Sequence, residues 1–474
     1  MNLQFALTPL GSQPLVEQIV TAVRSHIDDR LLRPGARLPA IRQMAEQHGI
    51  SRFTVVEAYD RLVALGYLHS RRGAGFFVAP RETAAPAALP EAQRQRAIDV
   101  AWLMRGVLSD TPGVLKASAG WLPPAWMDSE GMARVVRQLV RGDDHGVRFG
   151  CYGEPNGYRP LREQLRVMLG GLGVEAHPDQ IVLTFGATQA LDIVARHFVR
   201  PGDTVLVDDP GYFNLFGALR LLGANLVGVP RNEDGPDTAA LDALAAQHKP
   251  RLFITHSVLH NPTGSSLSPA VAYRVLQLAE KHEFMVVEDD TYGDFSVTQT
   301  TRLAELDQLQ RVIYVSSFTK TLSANARVGY FACHADLARE LADVKLLTSV
   351  SSSEFSEQII HRMLTEGHYR KHVERLQARL AQNATRVARM LESVGLQFRH
   401  PMGGVFIWAS VPGMSDATPL AEQAEEAKIL LAPGKVFRPQ MQPSPFVRIN
   451  VAYANDVRFQ RFLDSALSNV AKPV

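Results

Sequence analysis

The chain is poor in cysteine, with two in 474 residues, Cys151 and Cys333. They stand far apart and in no metal-ligand spacing, which argues against a disulfide framework and a thiolate zinc site and for a reducing, cytoplasmic setting. No apolar run reaches the ~18 residues a membrane span needs, so no membrane partner is expected. No basic N-terminal stretch leads into an apolar core, so no signal peptide is expected. Charge of one sign is lacking too. Fifty Lys and Arg face 48 Asp and Glu, a net of +2. That excludes a uniformly basic nucleic-acid binder and leaves room for a local basic patch. No internal repeat is visible. What is present is a globular composition, 46% hydrophobic, in a length that suggests about three domains.

The first eighty residues form a distinct stretch. Leu15, Ile19, Val23 and Ile27 recur every four residues, the spacing of an amphipathic helix. Arg33-Pro34-Gly35 breaks it. A second helix is expected to open at Leu38-Pro39-Ala40-Ile41, with Pro39 near its first turn, and to end at Gly49. Ser51 suits the N-cap of a third helix, with Val55, Ala58, Tyr59 and Leu62 inward and Arg52, Thr54, Val56 and Glu57 towards solvent. Gly66 stops that helix, and Tyr67 to Val78 reads as a β-hairpin turning at Arg71-Arg72-Gly73-Ala74-Gly75. Three helices and a hairpin are the parts of a winged helix-turn-helix. Residues 1–80 hold nine arginines, no lysine and six acids. Arg37, Arg42, Arg52, Arg71 and Arg72 fall on turns and an exposed helix start, where phosphates would lie.

The segments Arg33-Pro34-Gly35-Ala36-Arg37-Leu38-Pro39-Ala40-Ile41-Arg42, Ser51-Arg52-Phe53-Thr54-Val55 and Gly73-Ala74-Gly75-Phe76-Phe77-Val78 resemble the signature of the GntR-type DNA-binding domain. The resemblance spans about residues 12–79. It implies that Arg37, Arg52 and Thr54 touch double-stranded DNA and that the wing, with Gly73 and Gly75, approaches the adjacent groove. The domain is placed at 1–80. Residues 81–98, rich in Pro and Ala and without apolar periodicity, read as a linker.

From residue 99 to 474, apolar strand-like runs alternate with helical patterns. Ile181-Val182-Leu183-Thr184, Thr204-Val205-Leu206-Val207, Leu252-Phe253-Ile254-Thr255, Phe284-Met285-Val286-Val287 and Val312-Ile313-Tyr314-Val315 are continuous apolar strands. They imply a mostly parallel sheet covered on both faces. Each is followed by residues with chemistry to offer, at the sheet edge where α/β proteins bind ligands. Lys320, between hydroxyl residues and seven before Arg327, is an amine placed to condense with an aldehyde, as a pyridoxal phosphate (PLP) site requires. Gly186-Ala187-Thr188-Gln189 opens a helix whose N–H groups, at Ala187 and Thr188, can receive a phosphate. Ser317 and Arg327 can add a hydroxyl and a guanidinium. Asp289 suits the pyridine nitrogen, Asn261 and Tyr292 the ring hydroxyl, and Tyr212 the ring face.

This set, in this order, resembles the fold-type I aminotransferases over about residues 115–470. The expected fold class is therefore a winged helix-turn-helix joined to an α/β PLP-dependent transferase, with a large, mostly parallel sheet and a smaller C-terminal α+β part. The resemblance implies that Lys320 carries the cofactor and that Asn261, Asp289, Tyr292, Ser317 and Arg327 bind it. It also implies that Tyr152, in Tyr152-Gly153-Glu154-Pro155-Asn156-Gly157, reaches the phosphate of a neighbouring subunit, hence a homodimer. Arg448, in Phe446-Val447-Arg448-Ile449-Asn450, matches the arginine that grips a substrate carboxylate. Gly120 matches the lip of the site. The loop after Lys320 departs from the family, reading Ser323-Ala324-Asn325-Ala326 where a Pro-Gly pair is common.

His256 and His260 are four apart, and so are His368 and His372. The first pair lies on a strand–loop run, where that spacing does not bring the rings together. The second lies on a helical stretch around residues 355–394, with no zinc-protease carboxylate nearby. Solvated histidines and no metal are expected.

A GntR-type domain linked to an aminotransferase-like domain resembles the MocR subfamily of transcription regulators. That implies a PLP-dependent regulator, with DNA and an amino-group effector or PLP itself as partners. The alternatives are an active aminotransferase with a vestigial or autoregulatory DNA-binding domain, and a PLP-binding structural module. The exposed arginines of the third helix and wing favour the regulator.

Overall fold

The structure is a computed structural model. It describes residues 13–29, 31–71, 74–79, 111–141, 150–400 and 403–467, with a few isolated positions beside them. The chain divides into two compact units, Met1–Ala88 and Leu89–Val474. The expected linker, 81–98, lies outside the described residues.

In the first unit, helices α1 (Leu15–Asp28), α2 (Ile41–His48) and α3 (Arg52–Ala64) precede a hairpin of β1 (Leu68–Arg71) and β2 (Gly75–Val78). Ile19, Val20 and Val23 of α1 meet Met44 of α2 and Val55, Ala58, Tyr59 and Leu62 of α3 in one core. Each buried Val, Leu, Ile or Met among them contributes about 1.5–3 kcal/mol. The helix α2 begins at Ile41, two residues after the expected Pro39, because Ala40 still has extended backbone. Gly49 ends it in the left-handed conformation that residues with a Cβ avoid. Ser51 caps α3, its Oγ accepting the Thr54 N–H at 3.0 Å. Tyr59 is wholly buried, donates its hydroxyl to the Pro39 carbonyl at 3.0 Å and packs edge-on against Phe76 of the wing. One side chain thus ties α3 to the entry of α2 and to the hairpin.

The second unit is built on an eight-stranded sheet. Its strands are β3 (Ile181–Thr184), β4 (Thr204–Asp209), β5 (Asn225–Asn232), β6 (Gly235–Pro236), β7 (Leu252–Thr255), β8 (Met285–Asp289), β9 (Val312–Ser317) and β10 (Gly329–Ala332). Their order is β3-β10-β9-β8-β7-β4-β5-β6. The central pairs from β9 to β5 are parallel, while β10 is antiparallel to both β3 and β9. Alternate residues supply opposite faces. Val286 and Val312 join Leu206 and Phe253 in one core, and Val287 and Ile313 join Val207 and Ile254 in the other. Both faces are buried, which is why these strands read as continuous apolar runs.

A four-stranded antiparallel sheet follows, ordered β11-β12-β14-β13: β11 (Gln397–Phe398), β12 (Phe406–Ser410), β13 (Ala432–Pro433) and β14 (Phe446–Asn450). It shares a third core with the helix His368–Ser393. The helical stretch expected around 355–394 is two helices, Glu354–Thr365 and His368–Ser393, parted by Gly367 at φ +75°. No helix among the described residues is long and apolar enough to cross a membrane.

Candidate functional site

The parallel strands bring their C-terminal ends to one edge, and a cavity of about 470 Å³ opens there. Lys320, Ala187, Thr188, Tyr212, Asn261, Asp289, Tyr292, Ser317, Arg327 and Arg448, predicted from separate stretches of sequence, all line it.

Lys320 follows β9 on a turn fixed by Ser317, whose Oγ donates to Val328 O at 3.1 Å and accepts the Thr319 N–H at 3.1 Å. The ammonium nitrogen lies 5.6 Å from the centre of the Tyr292 ring. Desolvation, with help from Arg448, pushes the Lys320 amine down to about 8. A larger share of it is then free base near neutral pH, as a nucleophilic amine requires.

The phosphate end is built from two chain segments. Gly186 precedes the helix Ala187–Phe198 at φ +77°, and the N–H groups of Ala187 and Thr188, at the start of that helix, have no intrahelical acceptor. Arg327 donates to the Phe185 carbonyl at 2.8 Å. A Cβ on Gly186 would stand 2.9 Å from the Arg327 guanidinium. Glycine is therefore needed for the guanidinium to lie over the helix start.

The strand β8 ends in Glu288 and Asp289, Asp290 follows it, and alternation sorts the three. Glu288 and Asp290 point away from the cavity. Glu288 accepts the N–H groups of Leu303 and Ala304 at 2.7 and 2.8 Å, and Asp290 pairs with Arg302 at 2.8 Å. Asp289 alone lines the cavity. Its Oδ1 accepts the Thr291 N–H at 3.0 Å, and its Oδ2 lies 3.3 Å from His256 Nε2. Burial works to raise its pKa, but His256 and Thr291 outweigh burial and hold it below the usual value. It is a carboxylate suited to a protonated ring nitrogen.

Arg448, on β14, is buried and donates to Asn261 Oδ1 at 2.7 Å and to Ser118 O at 2.5 Å. Its guanidinium carbon lies 4.6 Å from the Phe406 ring centre and 4.8 Å from that of Phe437. Its Nε is buried without an acceptor. Burial lowers its pKa to about 10. Among the described residues no carboxylate forms an ion pair with it. Tyr292 donates its hydroxyl to Gly120 O at 2.9 Å, and burial pushes that phenol up. Tyr152 is 80% exposed and does not line this chain's cavity.

The histidine expectations are corrected. His256 and His260 are buried, with ring centres 5.2 Å apart. The chain after β7 bends at residues 257–259, with Leu259 at φ +50°, so the spacing needs no helix to bring the rings together. His260 Nε2 lies 3.4 Å from Asp208, and burial with Arg231 pushes its pKa down to about 3. Asp208, His256 and His260 have the spacing of a metal site. The buried Arg231 guanidinium, 3.1 Å from Asp208, already supplies the compensating charge. His372 is also buried, its Nε2 bonded to the Thr321 carbonyl at 2.8 Å. It anchors the residue after Lys320, a role that its polar helical surroundings do not signal.

In the first unit, Arg37, Arg42, Arg52 and Arg71 are exposed and Thr54 is half-buried. Arg37 lies against Gly75, where a Cβ would meet its Nε at 3.5 Å. Arg42 pairs with Glu46 at 2.9 Å, and Arg71 lies 5.1 Å from the Phe77 ring centre. Arg72 and Gly73 lie outside the described residues. Phe53, beside Arg52 on α3, is 76% exposed. Sequence reasoning passed over it because it breaks the inward pattern.

The cavity fits PLP. It offers a lysine of lowered pKa, a carboxylate held ionised, a helix start under an arginine where glycine alone fits, and a buried arginine with an orphaned nitrogen. Comparison with known proteins agrees. Residues 15–78 match the gntR family of bacterial regulatory proteins, and residues 127–465 match aminotransferase class I and II. The HTH-type transcriptional regulator TauR of Rhodobacter capsulatus is 28% identical, over 91% of each chain. The probable rhizopine catabolism regulatory protein MocR of Rhizobium meliloti is 29% identical, over 77% of this chain and 74% of that one. Among solved structures, the α-aminoadipate aminotransferase LysN of Thermus thermophilus, complexed with N-(5'-phosphopyridoxyl)-L-leucine, superposes with a TM-score of 0.69. It is 26% identical over 78% of this chain and 96% of LysN. The chain belongs to the aminotransferase class I and II family, and carries ahead of that domain a DNA-binding segment of the gntR family.

Proposed function

We propose that the protein is a PLP-dependent, DNA-binding transcription regulator of the GntR/MocR type. Residues 1–80 bind double-stranded DNA, 81–98 connect, and 99–474 bind PLP, sense an amino-group effector or PLP itself, and form the homodimer in the cytoplasm. The observation that carries this reading is the presence in one chain of the PLP-fitting cavity and of exposed arginines on α3 and the wing, for which an enzyme has no use. Relatives named as transcriptional regulators match more than nine-tenths of the chain, which supports it.

When bound, PLP supplies an aldehyde that captures primary amines and a ring that withdraws electrons. Lys320 offers the amine that holds it. Ala187 and Thr188 N–H groups, the Ser317 hydroxyl and Arg327 hold the phosphate. Asp289 keeps the ring nitrogen protonated, Asn261 and Tyr292 serve the ring hydroxyl, and Tyr212 the ring face. Arg448 receives the carboxylate of an effector that has one. Tyr152, exposed here, serves the partner subunit's phosphate site. Arg37, Arg42, Arg52, Thr54, Arg71, Arg72, Gly73 and Gly75 form the DNA-contacting set. A ligand shifts the regulator by its difference in affinity between two states.

A second reading, an aminotransferase with an autoregulatory DNA-binding segment, is favoured by the completeness of the cavity. The test uses the full chain. Lys320→Ala is expected to abolish the absorbance band of lysine-bound PLP, and an unchanged band refutes the cofactor reading. Arg52→Ala is expected to weaken binding to the DNA upstream of the protein's own gene; unaltered affinity counts against the regulator. Sustained turnover of an amino acid with a keto acid, without any effect on DNA binding, would establish the second reading.

A further inference from the structure

We infer that Lys345 is a positioning residue for the shared cofactor site: it fixes the segment 152–158 so that Tyr152 is presented to the partner subunit's phosphate site. The inference rests on the homodimeric PLP reading above and deepens it.

The segment 152–158 lies outside every helix and strand. Such a stretch holds one shape only where its neighbours impose it. Here each residue from 154 to 158 is bonded to a group outside the segment. Arg162 pairs with Glu154 at 3.1 Å and donates its Nε to Gly157 O at 3.1 Å. Lys345 donates to Pro155 O at 2.6 Å. The Leu183 N–H donates to Asn156 O at 2.9 Å, and Glu357 accepts the Tyr158 N–H at 2.8 Å. Gly157, at φ +90°, runs so near the sheet that a Cβ on it would stand 2.5 Å from Leu183. Tyr152, three residues before Pro155, is exposed and does not line this chain's own cavity. The stem is held while its aromatic tip faces outward.

Lys345 joins these contacts to one another. It is wholly buried, on the helix Ala335–Ser349. Its ammonium also donates to Ser352 Oγ at 2.9 Å, Ser352 donates to Glu357, and Glu357 holds Tyr158. A continuous path of hydrogen bonds thus runs from Pro155 to Tyr158 through Lys345, Ser352 and Glu357. Burying an ammonium is costly, and desolvation pushes this amine down to about 8. An apolar side chain would fill the space without that cost, but it would offer the Pro155 carbonyl no donor. What the charge secures is the direction of the stem. A phenol that must reach a phosphate on another subunit has to be held to within about 0.5 Å.

The experiment uses full-length hybrid dimers, assembled from two differently tagged chains and purified through both tags. One chain carries Lys320→Ala, so PLP is anchored only in the other. In the first hybrid the Lys320→Ala chain also carries Lys345→Met, and the altered stem serves the native site. In the second, Lys345→Met is placed in the chain that keeps Lys320, and a native stem serves that site. Both hybrids contain the same substitutions, so a general loss of stability falls on both alike. PLP is titrated by the absorbance band of the lysine-bound cofactor. Against a hybrid carrying Lys320→Ala alone, the first is expected to bind PLP at least about tenfold more weakly, and the second to match within about threefold. Equal loss in both hybrids, loss confined to the second, or loss in neither overturns the inference. Glu357→Gln breaks the path at Ser352, because its amide offers an N–H where the carboxylate accepts. Placed in the same two positions, it is expected to weaken the first hybrid alone by at least about threefold, and it decides the matter by the same outcomes where Lys345→Met yields no dimer. Tyr152→Phe separates the failures. If it is silent in the first hybrid, the reading of Tyr152 fails and the inference with it. If it weakens PLP binding there while Lys345→Met does not, the inference alone fails. A native dimer without the band defeats the PLP reading itself.

Discussion

Gly186→Ala adds one methyl group to the phosphate end of the cavity, and the structure separates its two effects. The first is on the backbone. Gly186 has φ +77° and ψ 171°, a region open essentially to glycine alone, where another residue costs about 1–3 kcal/mol. That strain is present with or without cofactor, so it lowers Tm and leaves cofactor affinity unaltered. The second effect is steric. The new Cβ would meet Arg327 Nη2 at 2.9 Å and its Cζ at 3.2 Å. The guanidinium must swing away, giving up its bond to the Phe185 carbonyl and its place over the helix start. A lost charge-assisted hydrogen bond costs about 1.5–3 kcal/mol, which corresponds to roughly tenfold to a hundredfold weaker PLP binding. Gly367→Ala is the control. Gly367 also has positive φ, but nothing stands within 4 Å of its Cβ position. It should lower Tm and spare PLP affinity. The assays are PLP titration by absorbance and thermal denaturation without cofactor. If Gly186→Ala binds PLP within about threefold of the native protein, the placement of Arg327 over the helix start is wrong.

Three further outcomes are expected. Lys320 and Lys345 are both held at about 8 against an ordinary 10.5. Between those values the unfolded chain binds more protons than the folded one, so stability without cofactor should rise from pH 8 to about 9.5. Denaturant midpoints across that range should show the rise, and a smaller one in Lys320→Met. Tyr59→Phe removes a buried hydroxyl from the Pro39 carbonyl and should cost the first unit about 1–2 kcal/mol, read from its denaturant transition. His256→Leu removes the group 3.3 Å from Asp289. The Asp289 pKa should then rise, because burial is no longer outweighed, and PLP binding should weaken as the pH falls. A pH series of PLP titrations reads both effects.

The large sheet was legible because its parallel strands are buried on both faces and carry unbroken apolar runs. The cavity was legible for a related reason. Parallel strands deliver their ends to one edge, so a polar residue after each run has few other places to be. What stayed hidden depends on tertiary contact. The strand β10 passes unannounced, since Gly329–Ala332 is short and its place between β3 and β9 is fixed by pairing. The two-residue strands β6, β11 and β13 likewise exist through their partners. His256 and His260 were misread because spacing rules assume regular structure, whereas an irregular bend at 257–259 lies between them. The buried Lys345, which donates to Pro155 O at 2.6 Å and to Ser352 Oγ at 2.9 Å, looks on paper like any helical lysine. Phe53 was quoted within a motif, and its exposure follows only once α1 and α2 are seen to cover the other side of α3.

The bond from His372 to the Thr321 carbonyl gives the helix His368–Ser393 a mechanical meaning. His372 sits near one end of its 26 residues. The arm beyond it is about 30 Å long at 1.5 Å per residue. Its far end belongs to the core of the second, antiparallel sheet. The bond thus joins the turn that carries Lys320 to a helix whose far part is packed into the second core.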